Sequence, residues 1–331
     1  MLLRIALVLA LTASTAWSLS EENVNQQFDI ASGGRLVVDV DFGSIDLTAG
    51  PDGKVSIEAR RKIDSNDEAR EKEYLAGAPI VVTKEGDTVT VRARRPKDAQ
   101  KWSWSGSISM DARYTIRVPK NFNADLRTSG GAVAANGITG EIKADTSGGK
   151  MKFGQLRGRL DARTSGGGIT LDGCEGPLNI ATSGGEIDST GGNGSLDART
   201  SGGSIAVRSF GGDVNVKTSG GALKLDHING RIVGKTSAGG ISAALVDPVP
   251  GDVTLETSAG SIEVAVPAKA ALNVEAKSSM GKIRTEIPML ATRSDDDRLV
   301  GTLNGGGKSL IMRASVGSIT IKPGSPATAQ R

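Results

Sequence analysis

The tetrapeptide Thr-Ser-Gly-Gly returns every eighteen residues, and no other feature of this chain restricts its fold as tightly. Copies begin at Thr128, Thr146, Thr164, Thr182, Thr200, Thr218 and Thr236, the last reading Thr-Ser-Ala-Gly. Looser copies begin at Thr257 and Ser278, each twenty-one residues on, and at Ala314, a further thirty-six, which is two periods. The array is therefore expected to run to the C-terminus with three insertions or fewer.

Counting Thr as position one, apolar residues recur at positions 6, 8, 11, 15 and 17. In one unit these are Ile205, Val207, Phe210, Val214 and Val216; in the next, Leu223, Leu225, Ile228 and Ile232 fill the first four. Pairs at spacing two, twice per unit, predict two short strands with one buried face each. Helical periodicity is absent between Thr128 and Thr257, and glycine at several positions of every unit is costly in a helix. One unit cannot bury its apolar face alone, so units stack, and units of two strands stack as a β-solenoid. Eighteen residues at about 3.3 Å each give a perimeter of at most roughly 60 Å, enough for two faces around a thin core. The fold class is therefore all-β: a single elongated solenoid with eighteen-residue coils.

The tetrapeptide reads as the corner of each coil, with Thr turned inward and Ser outward. The corner residues are Thr128 and Gly130, Thr146 and Gly148, Thr164 and Gly166, Thr182 and Gly184, Thr200 and Gly202, and Thr218 and Gly220, then Thr236 and Gly239, and Thr257 and Gly260. The glycines are expected to supply positive φ and to let successive corners approach closely.

Ahead of the array, residues 28–127 read as a β-rich capping part. "RLVVDVD", "FGSIDL" and "KVSIEAR" look like a degenerate first coil. "DSNDEAREKEYL" reads as one or two helical turns, and "IVVTKEGDTVTVRARR" as a hairpin turning at Gly86. Residues 1–18 combine Arg4, an apolar run from Ile5 to Leu11, and Ala16 and Ser18 at peptidase spacing, the pattern of a cleaved export signal. Residues 128–322 form the repeat domain and 323–331 a tail. No later stretch is long enough to span a bilayer. The lone Cys174 rules out intramolecular disulfides as the source of stability. Charges of both signs are scattered, so no nucleic-acid footprint is expected.

An extended "YTIRVPKNFNADLRTSGG" opening a run of "TSGG" and "TSAG" strand repeats resembles the bacterial envelope family known as "putative adhesins", a domain of unknown function built of β-strand repeats. The matching features are the strand end at Val118-Pro119, the first repeat at Thr128 and Gly-apolar strand starts such as Gly203 to Val207. The resemblance covers nearly all of the chain after the signal and implies the solenoid fold and a role in adhesion.

Chemistry is sparse. His227, the one histidine, sits on the turn "LDHING" beside Asp226, and adjacent turn residues do not make a triad. Asp295 to Asp297 read as a solvated loop rather than a cation site, and "GGNGSLD", Gly191 to Asp197, is a single imperfect copy of a calcium nonapeptide. The outward columns Lys143, Asp161, Asn179, Asp197, Asn215 and Asp145, Arg163, Ala181, Arg199, Lys217, Lys235 are expected to set opposite charges on neighbouring coils. Ser189 and Gly192 replace bulky apolar residues and mark the thinnest coil. Trp102 and Trp104, two apart on an extended segment, are the best contact candidates, since paired aromatic faces stack on sugar rings.

These observations point to a non-catalytic, exported, adhesin-like solenoid of the periplasm or cell surface, with no cofactor and no metal, whose partner is a glycan or protein of the envelope. A carbohydrate-active β-helix enzyme or polysaccharide-binding module, and a periplasmic envelope-stress sensor or scaffold, are the alternatives. An enzyme would need a convergent cluster of titratable groups, which evenly spaced mixed charges do not provide.

Overall fold

A computed structural model describes residues 21–94 and 109–324. Within them the chain forms two long sheets, of 14 and 15 strands, and one helix, Glu68–Gly77. The expected export signal, Trp102 and Trp104, and residues 325–331 of the tail lie outside the described residues.

Each unit of the array contributes one strand to each sheet. Ile205–Arg208 lies in the 14-stranded sheet and Gly211–Lys217 in the 15-stranded one. Every strand pairs in parallel with its counterpart one unit away: Ile205 with Leu223, and Val214 with Ile232. The alternation then does what a period of two requires, and Ile205, Val207, Val214 and Val216 are all buried between the sheets. Position 11 fills the arch joining the two strands, with Ile138, Leu156, Cys174, Phe210 and Ile228 buried there. At position 12 single parallel bridges run from Asn121 to Thr139, Arg157 and Glu175, so the arch carries hydrogen bonds without a third sheet.

The stacking order departs from sequence order at both ends. Lys308–Val316 and Ile319–Pro323, the coil that carries Ala314, do not follow the Ser278 coil. They lie between the Thr257 and Ser278 coils: Lys308–Val316 pairs with Val253–Ala259 on one side and Leu272–Met280 on the other. In the other sheet Ile319–Pro323 lies likewise between Ile262–Val266 and Ile283–Thr285. The intervening chain forms an antiparallel extension, Leu290–Ser294 on Arg298–Leu303 on Leu272–Met280, that covers the end of the sheet. After Thr257 the units therefore no longer stack in sequence order. Inserting the last coil buries Leu310, Met312, Ile319 and Ile321 on both flanks, which an outermost coil would not achieve.

The N-terminal end is interleaved in the same way. Arg35–Val40 and Ser44–Ala49 form a coil, yet it is not outermost: Thr88–Ala93 and Ser109–Val118 lie outside it, and Asn123–Thr128 and Val133–Asn136 inside. "KVSIEAR" belongs to no coil. It lies in Lys54–Asp64, antiparallel to Ser109–Val118, and carries a further antiparallel strand, Glu21–Asp29, on its outer side. Glu21–Asp29 precedes the boundary expected at Phe28, and its Val24 and Phe28 pack on the core. The hairpin of Val81–Glu85 with Thr88–Ala93 does turn at Gly86, whose φ is +56°.

The helix runs for ten residues, capped by the Asp67 carboxylate accepting from the Arg70 amide at 3.1 Å. Tyr74 and Leu75 close a small second core over Ile63. Beneath it the Arg61 guanidinium, 1 % exposed, pairs with Glu22 and lies 5.9 Å from the centre of the Tyr74 ring. Glu22 also accepts from the Ile80 amide at 2.9 Å. The outermost strand is thereby tied to the cap by a charge that has no water to fall back on. Burial beside this pair pushes the Tyr114 hydroxyl well above the ordinary phenol range.

Candidate binding face

Threonines of the repeated tetrapeptide bond each unit to the one before it. The Thr218 hydroxyl donates to the Gly203 carbonyl of the preceding coil at 2.8 Å and accepts from the Gly221 amide of its own at 3.1 Å. Thr146, Thr164, Thr182, Thr200 and Thr236 repeat both bonds, and Thr128 does so against Gly43. The Thr257 hydroxyl donates to Gly239 at 2.9 Å, and the Ser278 hydroxyl to Gly317 at 2.8 Å. Buried hydroxyls that both donate and accept leave no free column of threonine for a ligand.

The two corner glycines differ, which corrects the expectation for both. None of Gly130, Gly148, Gly166, Gly184, Gly202, Gly220, Gly239 and Gly260 has positive φ. A Cβ on the first glycine of the tetrapeptide meets nothing nearer than 3.6 Å, and on Gly130 and Gly148 nothing within 4 Å. Close approach belongs to the second glycine: a Cβ on Gly203 would stand 1.9 Å from the Gly185 oxygen, and Gly149, Gly167, Gly185 and Gly221 are alike. Gly239 and Gly260 occupy this tight position, since Ala238 and Ala259 replace the first glycine.

Positive φ lies at the opposite arch. Position 10 is left-handed in the six units from Thr128 to Thr218, as Gly137, Gln155, Gly173, Gly191, Ser209 and His227. Position 13 is glycine from Gly140 to Gly230 at eighteen-residue steps, with positive φ at Gly140, Gly158, Gly176, Gly194 and Gly212. A Cβ on Gly158, Gly176, Gly194 or Gly212 would lie 2.0–2.4 Å from the carbonyl oxygen of the coil below. This second glycine column was visible in the sequence by its spacing alone.

With coils so fixed, the outward side chains of the 15-stranded sheet form straight ladders. Lys143, Asp161, Asn179, Asp197 and Asn215 are successive partners, as are Asp145, Arg163, Ala181, Arg199, Lys217 and Lys235. Asn179 donates to Asp161 and Asn215 to Asp197, both at 3.0 Å. Within strands Arg127 pairs with Asp125, and Arg199 with Asp197. The hydrogen bond from Arg159, and then that from Asn179, holds the Asp161 carboxyl below the usual carboxylate range. Lys235 and then Arg313 do the same for Glu256. Within these two columns the expectation of opposite charges on neighbouring coils fails at Arg199, Lys217 and Lys235, which stand directly opposite one another on consecutive strands; beyond Glu256 the same ladder also sets Arg313, Lys277 and Arg298 opposite one another.

Alongside these ladders runs a shallow groove of about 500 Å³, lined by Arg94, Arg127, Asp145 and Arg163 and by the exposed corner serines Ser129, Ser147, Ser165 and Ser183. Nothing in it resembles a catalytic constellation. His227 is an exposed left-handed turn residue whose amide donates to Ala244. Asp295 pairs with Arg293, while the amides of Ser278 and Ile283 bond to the backbone oxygens of Asp297 and Asp296. Among the described residues no three His, Cys, Asp or Glu side chains gather as a metal site, and no helix is long and apolar enough to cross a membrane. Burial pushes the Cys174 thiol up, away from reactivity. Ser189 is 1 % exposed and its hydroxyl has no partner, while Gly192 lies where a Cβ would come 2.2 Å from the Cys174 oxygen.

Compared with known proteins, residues 34–322 match the family model described as Toastrack DUF4097. A search of curated proteins returns no match. Among solved structures, a "putative cell adhesion protein" from Clostridium sporogenes ATCC 15579 is 12 % identical over 91 % of this chain and 99 % of its own, with a TM-score of 0.23. A "putative lipid binding protein" from Parabacteroides distasonis ATCC 8503 is 12 % identical over 89 % and 96 %, with a TM-score of 0.39. A "putative adhesin" from Parabacteroides merdae ATCC 43184 is 9 % identical over 92 % and 96 %, with a TM-score of 0.30. Superpositions this loose carry no argument about function.

Proposed function

The chain belongs to the Toastrack DUF4097 family, and from that premise we propose that it is a non-catalytic, exported, adhesin-like solenoid that holds a stiff polar face towards the cell envelope. Its working unit is the eighteen-residue coil with its Thr-Ser-Gly-Gly corner, and its place is the periplasm or cell surface. The observation that carries this is the uninterrupted 15-stranded sheet. Fourteen spacings of about 4.8 Å give a face roughly 67 Å long on which every outward side chain has a fixed neighbour. Charged and amide groups held at fixed spacing recognise extended partners, whereas catalysis needs groups that converge on one point. Trp102 and Trp104 are proposed to add an aromatic contact.

The test is co-sedimentation of the purified chain lacking residues 1–18 with isolated envelope particles. Retention that falls when Trp102→Ala is combined with Trp104→Ala supports an adhesive role with those residues at the contact. Retention that does not change removes the tryptophans from it, and no retention on any envelope fraction refutes the adhesive reading.

A further inference from the structure

We propose that Arg163, Arg199, Lys217 and Lys235 form a binding strip for a linear carboxylated polysaccharide lying along the solenoid axis. This rests on the adhesin-like reading and names the class of its partner.

Like charges directly opposite on neighbouring strands destabilise a sheet. The ladder that contains the strip avoids this towards the N-terminus, where Arg92, Asp39, Arg127, Asp145 and Arg163 alternate in sign. It then places Arg199, Lys217 and Lys235 in direct opposition. Compensation reaches the flanks and not the middle. Arg199 pairs with Asp197 at 2.8 Å and Lys235 with Glu256 at 2.7 Å, whereas among the described residues Lys217 has no ion pair; Arg163 forms none within 4 Å but stands opposite Asp145 and acts on Asp161. The next outward column offers Lys217 and Lys235 no acid either, only Asn215 and Val233. A local rule broken without local compensation is the mark of a functional constraint.

The geometry says what fits. Arg163 to Lys235 spans four coil steps, about 19 Å parallel to the axis. All four side chains are exposed, and so are the corner serines two residues beyond each of them, Ser165, Ser201, Ser219 and Ser237. Cations at coil spacing beside hydroxyls match a chain that repeats carboxylates and sugar hydroxyls, with arginine forks taking carboxylates through two bonds. The strip has no aromatic side chain on which nucleobases would stack.

Calorimetric titration of the full chain after its signal with polygalacturonate tests this, with dextran as the neutral arm and a single-stranded oligodeoxynucleotide of equal charge as the nucleic-acid arm. Binding to polygalacturonate alone, weakening with salt, is expected. Lys217→Gln should lower affinity about 2- to 5-fold, and Arg199→Gln with Lys217→Gln by more, while thermal stability holds or rises because a repulsion has been removed. A merely structural role would not separate stability from binding in this way. Lys152→Gln with Lys224→Gln, on the other sheet, should leave affinity unchanged. No binding to polygalacturonate, equal binding to the oligonucleotide, or equal loss in the Lys152 and Lys224 variant each overturns the inference. Retention on envelope particles without polygalacturonate binding would overturn this inference alone; failure of both would overturn the adhesive reading as well.

Discussion

Gly202 and Gly203 are neighbours in the same corner, and the structure separates their fates. A Cβ on Gly203 would lie 1.9 Å from the Gly185 oxygen, and real Cβ atoms essentially never come under 3.0 Å, so the coils must part by at least 1.1 Å (3.0 − 1.9). That movement stretches the bond from the Thr200 hydroxyl to the Gly185 oxygen of the preceding coil, now 3.0 Å, out of hydrogen-bond range. One buried bond at about 1 kcal/mol and about 1–3 kcal/mol of overpacking give a loss of roughly 2–4 kcal/mol for Gly203→Ala. Gly202→Ala meets nothing nearer than 3.6 Å and should stay within about 0.5 kcal/mol of the parent. The chain already makes this experiment: the position of Gly202 is held elsewhere by Ala238, Ala259, Val316 and Met280, and Met280 is 70 % exposed. Urea denaturation followed by far-ultraviolet circular dichroism decides it. Equal midpoints for the two variants would refute the close-approach account of the corner.

Ser189→Val should stabilise the protein by about 1–2 kcal/mol in the same assay, because it removes an unpartnered hydroxyl and fills a column flanked by Leu171 and Val207; a lower midpoint would mean the thin coil has no room. His227→Gly relieves a left-handed residue at φ +55° and should raise the midpoint slightly, by up to about 1 kcal/mol, leaving envelope retention unchanged. Lys235 and Arg313 keep the Glu256 carboxyl ionised below its usual range. Its contribution is therefore complete above the unfolded carboxylate pKa and is lost as pH falls through the lower folded value. Glu256→Gln should lower stability at pH 7 and flatten the acid limb of a stability–pH profile; an unchanged acid limb would show that the pair contributes nothing.

How much of this was legible follows from how local each cause is. The alternation of Ile205 with Val207 and of Val214 with Val216 is a property of neighbouring residues, so strands and buried faces could be read directly. The corner threonines were legible as inward, but their glycines were not distinguishable by residue type; only Ala238 and Met280 hint that one position is open. Of the two left-handed columns of the arch, position 10 was hidden because Gln155, Ser209 and His227 share it with glycines. Interleaving of the end coils could not be read at all. Val253–Ala259 offers an edge that Leu272–Met280 and Lys308–Val316 both suit, and the choice depends on which exposed edge the antiparallel extension then covers. For the candidate face, the run of Arg199, Lys217 and Lys235 was written in the sequence, but its conflict with sheet electrostatics appears only once register makes the three direct neighbours. Trp102 and Trp104 lie outside the described residues.

The interleaved C-terminal coil also sets an order of events. A chain that emerges N-terminus first presents Leu272–Met280 before Lys308–Val316 exists, and the two carry the same corner register against Val253–Ala259. The earlier strand can therefore occupy the later one's seat and bury Val274 and Ala276 there. The native arrangement then requires that docking to be deferred or undone when the last coil arrives. Residues 308–323 act as a wedge between two existing slabs, so a chain stopped short of them would lack an inner layer, and its Ser278 coil would be stacked one place out of turn.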